Sequence, residues 1–84
     1  MSACEAQTFE NVDGAAWERL LQKAEGYGVA ISGHNGESSR DGFTIAWNYE
    51  PATGRLLLQC TDSPWWAPCG MINDKMRELV EKSV

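Results

Sequence analysis

The stretch Phe43-Thr44-Ile45-Ala46-Trp47-Asn48-Tyr49-Glu50, then Pro51-Ala52-Thr53-Gly54, then Arg55-Leu56-Leu57-Leu58-Gln59-Cys60-Thr61, decides the fold. Phe43, Ile45, Trp47 and Tyr49 alternate with polar or small residues, the period of a strand with one buried face. Pro51 presets φ and Gly54 accepts a positive φ, so the four residues between the runs read as a hairpin turn. If Glu50 faces Arg55, then Tyr49 meets Leu56, Trp47 meets Leu58 and Ile45 meets Cys60. Each of those pairs falls on the apolar face, and Glu50–Arg55 is a favourable pair on the other. A slip of one residue would turn the aromatic row into water, so the side chains themselves specify the register.

Upstream, Asp13 reads as an N-cap, with Val12 positioned to staple onto Trp17. Trp17, Leu20, Leu21 and Ala24 follow helical spacing, which predicts a helix over 14–25 ended by Gly26 and Gly28. Val29 and Ile31 alternate with Ala30 and Ser32 as a short first strand, which dissolves into a polar loop over 33–42. Downstream, Pro68 suits a first helical turn, and Cys69, Ile72, Met76, Leu79 and Val80 mark one face of a second helix reaching about residue 82. Residues 1–12 carry little pattern and are expected to be a flexible N-terminal segment preceding a single α+β domain over 13–84.

The order helix, strand, strand, strand, helix makes the strands an antiparallel meander. Each strand has one apolar face, so both helices are expected on that face, in an αβββα two-layer sandwich of the α+β class. This order resembles that of the double-stranded-RNA-binding domain over most of the chain. That family grips phosphates with a lysine cluster at the start of its second helix. Here the corresponding stretch, Pro64-Trp65-Trp66-Ala67-Pro68-Cys69-Gly70, precedes the first basic residue, Lys75. The resemblance therefore implies the fold and not the RNA binding.

Composition narrows the partners. Seven Lys and Arg against 12 Asp and Glu give a net charge of −5. Phosphate backbones are bound by clustered cations, and those of this chain are scattered singly, so neither nucleic acid nor an anionic membrane is expected as a partner. The N-terminus lacks the basic and apolar regions of a signal peptide, and no apolar run approaches the ~20 residues of a membrane span. Three cysteines at irregular spacing do not read as a disulfide framework. A reduced, cytoplasmic protein is the resulting expectation.

In a meander, the end of strand one near His34, the start of strand two near Phe43 and the end of strand three near Thr61 share one end of the sheet. Both helices would begin there. The candidate binding residues are accordingly Trp65, Trp66, His34, Asn35, Arg40, Asp62 and Cys69. Trp65 and Trp66 cannot both point inward from one regular element, so they read either as a contact surface or as a seal under the loop. The run Trp66-Ala67-Pro68-Cys69 resembles the active-site turn of thioredoxin, a Trp-Cys-x-Pro-Cys motif opening a helix. Trp66 stands where that motif has its nucleophilic cysteine, which excludes a two-cysteine exchange and leaves Cys69 as a single thiol near a helix N-terminus. Cys69 with His34 as base is the catalytic alternative; Cys60 reads as a core residue, and a Cys60–Cys69 disulfide stays open. No ligand spacing points to a metal, and no motif points to a cofactor.

These observations converge on a small acidic, non-catalytic binding domain. Its contact surface would be the 33–42 loop and Trp65–Trp66, with a protein partner, a second copy or a small ligand as occupant. The alternative is a thiol-dependent enzyme or redox-sensitive protein centred on Cys69.

Overall fold

The computed structural model describes residues 3–84 and contains, in order, β1 (Gln7–Phe9), α1 (Gly14–Gly26), β2 (Asn35–Arg40), β3 (Phe43–Glu50), β4 (Arg55–Asp62) and α2 (Cys69–Glu81). The strands form one antiparallel sheet in the order β1-β4-β3-β2. Trp47, Tyr49, Leu56, Leu58 and Cys60 pack in one core with Trp17 and Leu20 of α1 and Ile72, Met76 and Val80 of α2. The fold is thus α+β with both helices on the apolar face. The chain runs βαβββα, one strand more than the expected three-stranded meander.

The central hairpin has the expected register: Glu50 opposite Arg55, Tyr49 opposite Leu56, Trp47 opposite Leu58 and Ile45 opposite Cys60. Beyond Ile45 the pairing shifts, so that Thr44 faces Asp62 and Thr61 is the extra residue of a bulge. Arg55 does not bond Glu50; its Nε lies 3.2 Å from Glu10, just beyond β1.

Two segments depart from expectation. Residues 28–34 are not a strand: they cross the apolar face as an irregular strap, with Ile31 packed on the core and the Gly33 carbonyl accepting from Trp47 Nε1 at 3.2 Å. The strand forms instead within the presumed loop, where Asn35–Arg40 pairs with Phe43–Asn48. A two-residue turn joins them, with φ of 54° at Asp41 and 86° at Gly42, the doubly positive combination of a type I′ hairpin. This turn twists in the same sense as its flanking strands, so a polar sequence is held in the sheet by its connection to β3.

The N-terminal segment is the second departure. Residues 1 and 2 lie outside the described residues, but from Cys4 onward the segment expected to be flexible is built into the fold. Gln7 and Phe9 face Leu58 and Leu56, and the Cys4 amide donates to the Cys60 carbonyl at 2.8 Å. Val12 is buried; its amide donates to Gly54 at 2.8 Å, and its carbonyl accepts from Tyr49 Oη at 2.6 Å. Cys4 and Cys69 form a disulfide with their Cα atoms 5.4 Å apart, an ordinary span for such a bridge. The partner of Cys69 is thus Cys4 and not Cys60, which stays free, and the argument from cysteine usage for a reduced compartment is corrected with it.

The helices begin as expected. The Asp13 side chain accepts from the Ala16 amide at 2.8 Å, and Val12 and Trp17 are both buried at that end. Tyr27 is the C-cap, and Gly28 takes φ of 81° where the chain turns back. Arg19 Nε and Lys23 Nζ donate to the carbonyls of Ser83 and Lys82 at 2.7 and 2.9 Å. Two cations of α1 thereby serve the unsatisfied carbonyl end of α2.

Candidate functional site

The expected gathering of candidate residues at one end of the sheet is only half realised. β1 delivers the chain to the β3–β4 turn, where α1 begins, whereas α2 begins at the opposite end, beyond Asp62. With β2 starting at residue 35, His34 and Asn35 sit beside Tyr49 and Asn48, next to the β3–β4 turn. Arg40, Asp62, Trp65, Trp66 and Cys69 belong to the other end, roughly 20 Å of strand away. Moving the first strand from 29–32 to 35–40 accounts for the separation.

That distance removes the Cys69–His34 dyad, and the Cys4–Cys69 bond leaves Cys69 without a thiol. The third cysteine, Cys60, is fully buried; its Sγ donates to the Asp62 carbonyl at 3.1 Å, and burial pushes its thiol pKa up. A buried, protonated thiol is a poor nucleophile. His34 is exposed and meets Tyr49 and Trp17 edge-on, with ring centroids 5.6 and 6.5 Å away. Among the described residues no three His, Cys, Asp or Glu side chains converge as a metal-binding group.

Trp65 and Trp66 project outward. The Ala67 amide donates to the Pro64 carbonyl at 3.1 Å, closing a turn that directs Ala67 into the core and the two indoles to the surface. Trp65 is 90% exposed and Trp66 58% exposed. Trp66 stands edge-on to Phe43 at 5.8 Å between centroids, a T-shaped contact that fixes its position.

Phe43 leads from Trp66 into a groove of about 810 Å³. Tyr27 and Val29 form one wall and Met71, Ile72, Lys75, Met76 and Leu79 of α2 the other; Phe43 and Ile45 form the floor. The groove has a sequence cause. On the helix-bearing face β2 offers Gly36, Ser38 and Arg40, opposite Trp47, Ile45 and Phe43, and so presents no apolar stripe for a helix to cover. α2 packs on β4 instead, and the β2 side of the face stays open. Inward, an apolar recess of about 70 Å³ between Leu20, Ala24 and Leu58 shares Tyr27, Val29, Ile45, Met76 and Leu79 with the groove.

Charges ring the mouth. Arg40 Nε is 3.5 Å from Asp41, and Asp74, Lys75 and Glu78 lie along the α2 lip. Lys75 Nζ sits 5.1 Å above the Tyr27 ring; a hydrogen bond to that residue's hydroxyl, and secondarily Glu78, hold its ammonium pKa above the ordinary lysine value. Lys82, through a 2.8 Å hydrogen bond, and then Lys75 hold the Glu78 carboxyl below its usual range.

Sequence reasoning selected Arg40, Trp65 and Trp66 at this end but missed the groove, because Phe43, Ile45, Met76 and Leu79 fit the core pattern equally well. Two signals marked it: Met71 lies off the apolar stripe of α2, and Tyr27 follows the last turn of α1, and each is more than half exposed. Comparison of the chain with known protein families, curated proteins and solved structures gave no match.

Proposed function

We propose that this chain is a non-catalytic binding domain that acts through its aromatic end, with Trp65, Trp66, Phe43 and the adjoining groove as one contact surface. The observation that carries the reading is adjacency: beside the exposed Trp65, the exposed Trp66 contacts Phe43 edge-on, and Phe43 in turn lines the cleft. Exposed large apolar groups cluster where something is bound, and a cleft of a few hundred cubic ångströms with a charged rim is the usual form of a ligand or anchor site. Binding hot spots are enriched in tryptophan for the same reason. The 33–42 segment enters this surface only at Ser38, Arg40 and Asp41. As a thiol enzyme the alternative lacks a free nucleophile, since Cys69 is bonded and Cys60 is buried; as a redox-sensitive protein it would act through the Cys4–Cys69 bond.

The test is an NMR titration with three small probes: benzylammonium, cyclohexanol and indole. Shifts should concentrate on the Met71 methyl, the Phe43 ring and the Trp66 indole N–H, with Trp17 unmoved. A response spread evenly over the surface, or none at millimolar probe, would overturn the reading.

A further inference from the structure

We infer that the Cys4–Cys69 bond is a redox latch: a dithiol reductant that cuts it frees residues 3–10 to open from the β4 edge, while the rest of the fold stays in place. The two ends of the bond sit in unlike surroundings. On the Cys69 side, α2 is fixed by Ile72, Met76 and Val80 in the core whatever the state of the sulfur. On the Cys4 side, β1 is three residues long, and single hydrogen bonds add to its ladder. The Cys4 amide donates to the Cys60 carbonyl at 2.8 Å, and Gln59 Nε2 donates to the Cys4 carbonyl at 2.9 Å. Gln7 Nε2 donates to the Asn73 carbonyl at 2.9 Å, and Asn73 Nδ2 to that of Glu5 at 3.4 Å. Phe9 is only partly buried, and the Glu10–Arg55 pair is exposed. Firm anchoring resumes at Val12, which is buried and bonded to Gly54 and Tyr49. Asn11, at φ of 61°, makes the bend between the two parts and is the hinge.

The bond is open to attack from one side. Cys4 is buried whereas Cys69 is only partly so, and an incoming thiolate therefore meets the Cys69 sulfur. A new S–S bond forms there, the Cys4–Cys69 bond breaks, and Cys4 leaves as a thiolate that takes up a proton. The reductant's second thiolate then attacks its own sulfur in the mixed disulfide and expels Cys69. The reductant ends as a disulfide, having given up two electrons, and the protein holds two thiols. Cys69 is the first residue of α2, which starts without a side-chain cap. The first amides of a helix lack intrahelical partners and favour a thiolate, so Cys69 is a good leaving group in that step. Opening leaves Leu56 and Leu58 without their β1 partners, and β4 becomes an edge to which an extended segment can add.

The test compares the full chain with and without millimolar dithiothreitol in native buffer, by iodoacetamide labelling and amide hydrogen exchange. Cys4 and Cys69 should take up label after reduction, and the buried Cys60 should not. Protection of the Cys4 and β1 amides should fall about tenfold further than that of the β3 amides, which marks local opening over and above any general loss of stability. Oxidised glutathione should restore the bond and the protection together. Cys4→Ser/Cys69→Ser should show the same selective loss without reductant. Three results would each make the bond a fixed staple and overturn the inference. One is a bond that resists dithiothreitol until urea unfolds the chain. Another is an equal fall in protection across the segment and the sheet. The third is loss of the whole dispersed spectrum on reduction.

Discussion

Cys4 and Cys69, 65 residues apart in the chain, are joined by a disulfide that ties the segment leading into β1 to the first turn of α2. The ring it closes includes α1 and all four strands and leaves α2 beyond Cys69 outside. In the chain-entropy account a loop of that length restricts the unfolded state by about 4 kcal/mol, a large share of the ~5–15 kcal/mol that holds a domain together. Cys4→Ser/Cys69→Ser should therefore lower the unfolding free energy by roughly 2–4 kcal/mol and Tm by on the order of 10 °C or more in urea and thermal melts. Backbone and side-chain ties across the same seam remain, from Cys4 to Cys60, Gln59 to Cys4 and Gln7 to Asn73. The variant should keep a dispersed NMR spectrum. A melt unchanged by dithiothreitol would show that the bridge contributes nothing.

Tyr49 links three elements. It stacks on Trp17 with centroids 4.5 Å apart and planes 15° from parallel, and its hydroxyl donates to the Val12 carbonyl at 2.6 Å. Removing that hydroxyl leaves a buried carbonyl unpaired, so Tyr49→Phe should cost about 1–3 kcal/mol at neutral pH. Burial, and secondarily the Asp13 carboxylate, hold the phenol pKa above 10.0 in the folded chain. A raised folded pKa means that this contribution is intact below the unfolded value and lost as pH rises through the folded one. Urea titrations from pH 9 to 12 should show stability falling from about pH 10. The part of that fall owed to Tyr49 should be absent in Tyr49→Phe.

The central hairpin was legible because its information is periodic: Ile45, Trp47, Tyr49 and Leu56, Leu58, Cys60 admit one register. β2 was not, because Asn35-Gly36-Glu37-Ser38-Ser39-Arg40 has no apolar alternation, and Val29 and Ile31 supplied a more strand-like pattern nearby. Its readable signal was Asp41-Gly42, a type I′ dipeptide just before Phe43. β1 escaped for a related reason, since three residues with a single apolar side chain are held by pairing to β4 and by the disulfide. The groove follows from the same polar β2 and could be read only once that strand was located.

Gly42 provides a direct check of that turn. At φ of 86° an L side chain is strained, and a Cβ there would lie 3.2 Å from Pro64 Cγ. Gly42→Ala should destabilise by about 1–2 kcal/mol, whereas Asp41→Asn, at φ of 54°, should be nearly neutral because asparagine tolerates the left-handed region. Equal effects of the two substitutions in denaturant melts would argue for a different turn.

The two adjacent tryptophans should separate by experiment although the sequence presents them alike. Trp65, 90% exposed, has little folded-state packing to lose, so Trp65→Ala should change stability by less than about 0.5 kcal/mol. Trp66 holds an edge-to-face contact with Phe43, and Trp66→Ala should cost roughly 0.5–1.5 kcal/mol and shift the Phe43 ring signals. The double variant should therefore remain folded, with circular dichroism and methyl dispersion close to those of the parent chain. Because it folds, loss of probe shifts along Phe43 and Met71 in that variant would assign the indoles to binding. Loss of cooperative unfolding would instead make them a structural plug over Ala67, a role their exposure argues against.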